Sequence, residues 1–288
     1  MLERTKHYME AIALKGLFAL FRALPLDTAS KFGGWLARMI GRFLSAHKTA
    51  KKNLLRVFPH LSESERNGII NRMWDNLGRT AAELVYLPDN RLLERVEIIG
   101  AEYLEQSQGK PTLLFSGHLG NWELLASVAQ HHNRPIAGVY REANNPIVDS
   151  IISNIRSSRY LDMIPKGRQG AVKIVRAIKN NGAIAMLVDQ KMNDGISVPF
   201  FGIEAMTAPA IAELALRYDT PIIPARIVRV GGANFKGIVY PPIEYQKTGN
   251  KEQDTYNIML SINQTLENWI KEYPEQWFWV HKRWGNII

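Results

Sequence analysis

The chain has 288 residues, 46% apolar (AVILMFWYC) and 22% charged, a balance that excludes global disorder. It holds no cysteine, which excludes disulfide scaffolds, iron–sulfur sites, thiolate zinc sites and thiol nucleophiles. The net charge is +9 and is unevenly spread: residues 1–60 hold eleven Lys/Arg against Glu3, Glu10 and Asp27, while the remaining 228 residues are near neutral. A cationic arm of this kind fits an anionic surface, either nucleic acid or phospholipid headgroups.

The arm's apolar pattern chooses between them. Helices are expected over about 3–24, 27–44 and 47–57. Residues 11–24 are rich in Leu and Phe, but Lys15 and Arg22 interrupt the run and Pro25 ends it, so it is too short and too charged to span a bilayer. At 100° per residue Arg4, Lys15 and Arg22 fall within roughly 20° of one another. Leu14, Leu17, Phe21 and Leu24 crowd the opposite side. That is the pattern of an interfacial anchor, with Leu17 and Phe21 on the expected membrane face. The alternative is a helix packed on its own domain with its basic stripe in water. Glu3 and Glu10, and the lack of a small-residue cleavage site, argue against a signal peptide. A nucleic-acid arm would be more polar, so nucleic acid is not an expected partner.

Pro59 precedes a further helix, opened by the capping-box pair Ser62 and Glu65. From about residue 95 short apolar strands alternate with helices. Strands are expected at 112–116, 136–140, 163–164, 183–188 and 222–230, with helices at 121–132, 146–157, 169–180, 209–218 and 252–272. Gly231-Gly232 followed by 235–240 reads as a hairpin. The expected fold is α/β: a mixed, mostly parallel central sheet covered by helices, with a helical N-terminal cap. Residues 1–60 are expected to form a membrane-associating segment and 61–288 the α/β body, continuous with one another as one domain.

The markers of P-loop, dinucleotide-fold, zincin and serine-elbow chemistry are absent. The run Ser116-Gly117-His118-Leu119-Gly120-Asn121-Trp122-Glu123 follows directly on a strand and opens a helix. Its two glycines allow a tight turn and close approach to a ligand. Asn121 is a good N-cap and sets Glu123 in the first helical turn, where the dipole favours a carboxylate. Folded back through the turn, Glu123 could orient His118 as a general base. The competing view is a loop histidine followed by a helix-start acid. A metal held by His118, Glu123 and His131 or His132 fits no usual ligand spacing.

In this context the H-x4-E run resembles the bacterial lipid A biosynthesis late acyltransferase family (lauroyl/myristoyl type) of the H-x4-D/E glycerolipid acyltransferase superfamily. Further blocks carry the resemblance over nearly the whole chain: Gly138–Arg141 with Asn144–Pro146, Asp189-Gln190 with Val198–Gly202, Pro221–Pro224, and Glu275–Trp284. The resemblance implies an inner-membrane enzyme, peripheral at the cytoplasmic face. It would move a fatty acyl chain from acyl carrier protein to a hydroxyl of a lipid A precursor, with His118 and Glu123 as the dyad. No metal or cofactor is implied, since the phosphopantetheine belongs to the donor.

Arg141, Asp189, Gln190, Asn121 and Arg168 complete the expected substrate-binding set. Arg141 ends a strand and suits a phosphate, or else a surface salt bridge. Asp189, also at a strand mouth, could position Arg141, bind a sugar hydroxyl or cap a turn. Four of the seven tryptophans (Trp269, Trp277, Trp279 and Trp284) lie in the last 20 residues, as core packing or an interfacial belt, and His281 among them reads as structural. Three other functions stay open: acylation of another glycolipid such as a phosphatidylinositol mannoside, hydrolysis of an acyl thioester or ester by water, and non-catalytic membrane binding with anionic lipids as partner.

Overall fold

A computed structural model describes residues 2–285. The N-terminal helices are α1 (Leu2–Ala23), α2 (Leu26–Gly41), α3 (Ser45–Val57) and α4 (Glu63–Glu83). The Ser62–Glu65 capping box opens α4, each residue's side chain accepting from the other's backbone N–H. The body continues with β1 (Val96–Ile99), α5 (Ala101–Glu105), β2 (Thr112–Ser116), α6 (Leu125–His131), β3 (Ile136–Tyr140), α7 (Pro146–Arg156), β4 (Asp162–Pro165), α8 (Arg168–Lys179) and β5 (Ala183–Leu187). After these come β6 (Lys191–Phe200), β7 (Ile203–Thr207), α9 (Ala210–Tyr218), β8 (Ile222–Gly231), β9 (Asn234–Val239) and α10 (Lys251–Glu272).

Seven strands form one sheet in the order β1-β9-β8-β2-β5-β3-β4. β8, β2, β5, β3 and β4 run parallel; the β8–β9 hairpin reverses direction, and β1 pairs parallel to β9. The sheet is mixed and mostly parallel, as the alternation of elements predicts. β2 is buried along its whole length because helices cover both faces. Leu113 and Phe115 join one core, with Ile184, Ile211, Ile258 and Ile262. Leu114 joins the other, with Val128, Ile136 and Ile223. Doubly covered strands read as unbroken apolar runs, which is why this one is legible in sequence. The four C-terminal tryptophans are buried in this interior, each at most 4% exposed.

The sequence misses β1 and the separate β6–β7 hairpin. β1 has four residues on a sheet edge with alternating burial, too short to show periodicity. The first half of β6 exposes Met192, Asn193 and Asp194, and its register slips between Lys191 and Ile196.

Helix α2 packs tightly on α4. A Cβ on Gly33 would lie 2.5 Å from the Gly78 carbonyl oxygen, and one on Gly78 would lie 2.2 Å from that of Gly33. The face of α1 turned to the body corrects the sequence expectation. Phe21 is only 2% exposed, and Leu17, Phe18 and Leu24 pack beside it against the core. The exposed residues of α1 include Tyr8, Met9, Ile12, Ala13, Gly16, Ala19, Leu20 and Ala23. At 100° per residue these eight share an arc of roughly 140° that contains no charge. Helix α1 is therefore apolar on both sides. The sequence pattern favours the side with the bulkier residues, which is the side the body covers. Among the described residues no helix is long and apolar enough to cross a membrane.

Candidate active site

Strands β2 and β5 are parallel neighbours in register, Ser116 beside Leu187. Their C-terminal ends deliver Gly117-His118 and Asp189-Gln190 to one place, where open α/β sheets gather their sites. Gly117 permits the approach: a Cβ there would stand 3.0 Å from Leu266 and 3.2 Å from the Asp189 carboxylate. Gly120 has φ +59° and sits where a Cβ would meet the Ile227 carbonyl oxygen at 2.0 Å.

Asp189 holds His118 twice. Its Oδ1 lies 2.7 Å from the imidazole Nδ1, and its Oδ2 accepts from the His118 backbone N–H at 2.7 Å. The Trp277 indole N–H donates to the same Oδ2 at 2.8 Å. Burial alone would raise the Asp189 carboxyl, but the charge of His118 and these three donors outweigh it and hold the group at about 2. An ionised carboxylate can only accept, so when the ring is neutral its proton sits on Nδ1 and the lone pair is on Nε2. The ring is fixed between Trp122 and Phe278, with centroids at 5.1 and 5.6 Å. Gln190 Nε2 lies 3.5 Å from His118 Nε2, at the limit of a hydrogen bond.

The expected contact from Glu123 to His118 is not what holds the ring. Asn121 does cap the turn, its Oδ1 accepting from Glu123 N–H at 3.3 Å. That turn is a 3₁₀ segment, Trp122–Leu124, ahead of the shorter helix α6. It directs Glu123 toward α7 instead of back onto the imidazole. There the Arg156 guanidinium grips the carboxylate bidentately, Nε to Oε2 at 2.8 Å and Nη2 to Oε1. The Trp122 indole donates to Oε1 at 3.0 Å. Glu123 is buried, and the pair satisfies the demand that a buried charge be paired. It braces the tryptophan that flanks His118.

Asn121, expected among the substrate-binding residues, does not line the cavity described below. It is 1% exposed, and its Nδ2 donates to Glu83 Oε2 at 2.8 Å. Glu83 also receives Arg229, at 2.6 and 2.9 Å, and the Ser30 hydroxyl at 2.7 Å. Asn76 and Thr80 donate to the Gly120 carbonyl at 3.0 and 3.1 Å. Helix α4 thus supports the histidine loop from behind. Asp189, engaged with His118, does not position Arg141.

A cavity of about 450 Å³ opens beside His118. The partly or fully exposed Trp122, Arg141, Arg156, Lys166 and Gln190 line its mouth, with buried Glu123 beneath them. Its depth lies between the sheet and α6 and is apolar, with Leu114, Val128, Ala129, Ile136, Ala225 and Ile227. Arg141 and Lys166 directly follow the adjacent strands β3 and β4 and are both exposed. Neither has an ion-pair partner among the described residues. Partial desolvation and the neighbouring Arg141 both lower the Lys166 ammonium. Arg168, exposed at the start of α8, does not line the cavity. Among the described residues no group of three or more His, Asp or Glu could hold a metal.

Sequence reasoning missed Arg156, Lys166 and Trp122. A buried acid at 123 demands a cation somewhere, but nothing local points 33 residues onward to the last turn of α7. His281 is read as structural, yet it also lines the cavity. Its Nε2 accepts from Lys191 N–H at 2.8 Å. Burial lowers its imidazole to about 4; the Asp189 charge opposes the shift and the His118 charge reinforces it. In the unfolded chain the group titrates near 6.5. Between about 6.5 and 4 the unfolded state therefore binds more protons, and stability falls as pH drops through that window. The denaturation midpoint is expected to decrease from pH 7 to 4.5, and His281→Gln, which keeps an acceptor for Lys191, is expected to flatten that decrease. An unchanged slope in the variant would remove His281 from the titration.

A histidine fixed by an ionised aspartate thus stands beside an apolar cavity whose lining also holds Arg141, Arg156 and Lys166. Residues 2–286 match the family model described as bacterial lipid A biosynthesis acyltransferase, and the chain belongs to that family. Among its relatives, the lipid A biosynthesis lauroyltransferase of Escherichia coli K12 is 25% identical over 282 residues, covering 93% of this chain and 89% of that protein. The palmitoleoyltransferase of the same organism is 26% identical over 278 residues, covering 93% and 88%. The lipid A biosynthesis acyltransferase of Haemophilus influenzae is 24% identical over 274 residues, covering 91% and 83%.

Proposed function

We propose that the chain transfers a fatty acyl group from the thioester of acyl carrier protein to a hydroxyl of a lipid A precursor, with His118 as general base. The observation that carries this reading is His118 Nε2, met only by the Gln190 amide at 3.5 Å, beside a cavity lined by both cationic and apolar side chains. The acyl chain lies in the cavity, which places its carbonyl beside His118. The acceptor hydroxyl gives its proton to Nε2 as its oxygen attacks the thioester carbon. The carbon–sulfur bond breaks, and the imidazolium returns the proton to the leaving thiolate. Asp189 keeps the tautomer and stabilises the imidazolium while it lasts. Arg141 and Lys166 receive phosphate, from the acceptor or from the carrier's prosthetic arm. Gln190, 3.5 Å from His118 Nε2, contacts the approaching hydroxyl, and Arg168 adds positive charge on the surface beyond the cavity.

The enzyme works at the cytoplasmic face of the inner membrane, held peripherally. The support is the uncharged exposed stripe of α1, bordered by Lys15, Arg22 and Lys6, which suits an interfacial helix. Anionic lipids are its surface partners, and residues 1–60 serve as the membrane-facing part of one continuous domain.

Labelled acyl carrier protein, incubated with and without lipid A precursor, tests the reaction. The expected product is acylated glycolipid that forms only with the acceptor present. Release of free fatty acid at the same rate with or without acceptor would instead make the chain a hydrolase.

A further inference from the structure

A second groove, of about 460 Å³, lies between α2, α3 and α4, among residues that contribute nothing to the site described above. Arg38, Arg42, His47 and Lys51 line it, together with Trp35 and Trp74. The cations are only partly neutralised. Arg38 reaches Asp75 at 3.4 Å, and that carboxylate already holds Arg79 at 2.5 Å. Lys51 meets Glu63 at 3.7 Å, with Glu63 largely exposed. Arg42 lies over the Phe43 ring and has no carboxylate partner among the described residues. The Trp74 indole donates to His47 Nδ1 at 3.2 Å, so the neutral ring carries its proton on Nε2 and is a donor there. Asn67 and Asn71 add amide donors from α4.

The edge of the groove is apolar and unshielded. Trp35, Met39, Ile40 and Phe43 are 48, 42, 48 and 77% exposed. Trp35, Met39 and Ile40 on α2, with Phe43 just past its end, form a stripe that runs alongside Arg38 and Arg42. Cationic and amide donors set beside an exposed apolar stripe match an anionic amphiphile: phosphate in the groove, acyl chains against the stripe. A soluble anion would need the donors but not the stripe, and an acidic protein would leave Phe43 and Ile40 in water.

The geometry points to a binding site for the phosphate headgroup of an anionic glycerophospholipid, resting on the reading that this helical cap meets the membrane. The site would fix how deep and at what rotation the protein sits, which a general attraction between charges does not.

The test uses the full chain and vesicles of phosphatidylcholine with or without phosphatidylglycerol. The groove pair Arg42→Gln/Lys51→Gln is compared with Arg4→Gln/Lys15→Gln, which removes the same charge at the border of α1's apolar stripe. Retained acyl transfer to a detergent-solubilised acceptor certifies the fold of both. The groove pair is expected to lose about tenfold more affinity for phosphatidylglycerol vesicles than the border pair. Water-soluble dihexanoyl-phosphatidylglycerol should change the fluorescence of Trp35 and Trp74 in the wild type, and inorganic phosphate at equal concentration should not. Equal losses in the two pairs would overturn the site while leaving membrane attachment intact, and so would an equal response to inorganic phosphate. A wild-type chain that binds neither vesicle would overturn both the site and the attachment.

Discussion

Replacing His118 by Ala is expected to slow acyl transfer by about 10²–10⁴-fold, the usual worth of a positioned general base. Asp189→Asn is expected to fall in the same range, although the substitution changes no volume. The carboxylate accepts from three donors: His118 N–H, His118 Nδ1–H and the Trp277 indole. An asparagine offers one oxygen and turns an NH₂ toward the rest. The imidazole then loses the partner that fixes its tautomer and the charge that stabilises its protonated form. Circular dichroism and turnover with saturating donor and acceptor check both variants. A His118→Ala enzyme with near-normal turnover would remove the base altogether.

Glu123 is expected to give a large effect of a different kind. Its carboxylate is buried against Arg156, and breaking such a pair from one side costs about 3–5 kcal/mol, because it strands a charge. Glu123→Ala should therefore lower stability as well as activity. Arg156→Met should do likewise, leaving the carboxylate alone beneath the cavity mouth. The double variant Glu123→Gln/Arg156→Met removes both charges and is expected to recover most of the stability, though not the bracing of Trp122 and so not the full rate. Denaturation midpoints and turnover, measured side by side, separate the two losses. A Glu123→Ala protein as stable as the wild type, but as slow as His118→Ala, would return the carboxylate to the chemistry itself.

The difference between these two acids marks the limit of what sequence alone conveys. His118 is legible because its surroundings are local: a buried strand, two glycines and a capping asparagine within the ten residues 112–121. The partner that fixes its ring is not local. Asp189 lies 71 residues away, and only the pairing of β2 with β5 brings them together. From sequence Asp189 can be set at a strand mouth but not assigned to the histidine. Glu123 is the nearer acid, and a helix beginning at Asn121 makes it look like the partner. The short 3₁₀ turn, whose direction no periodicity encodes, sends it to Arg156. The same limit applies to α1. Bulky side chains dominate an amphipathic pattern, so the face carrying Phe21 stands out, and the structure buries that face. The membrane-facing candidate is the side built from Met9, Ile12, Leu20 and small residues, which the pattern leaves inconspicuous. The sheet itself is the most legible part, because strands buried on both faces leave continuous apolar runs.

A double-mutant cycle on His118 and Asp189 addresses the catalytic unit directly. Turnover is measured for His118→Ala, Asp189→Asn and the double variant, with acyl carrier protein as donor and lipid A precursor as acceptor. If Asp189 acts only through the imidazole, the double variant should be about as slow as His118→Ala alone, because residues that work as one unit are strongly non-additive. Losses that multiply would contradict this and give Asp189 a separate role in the reaction.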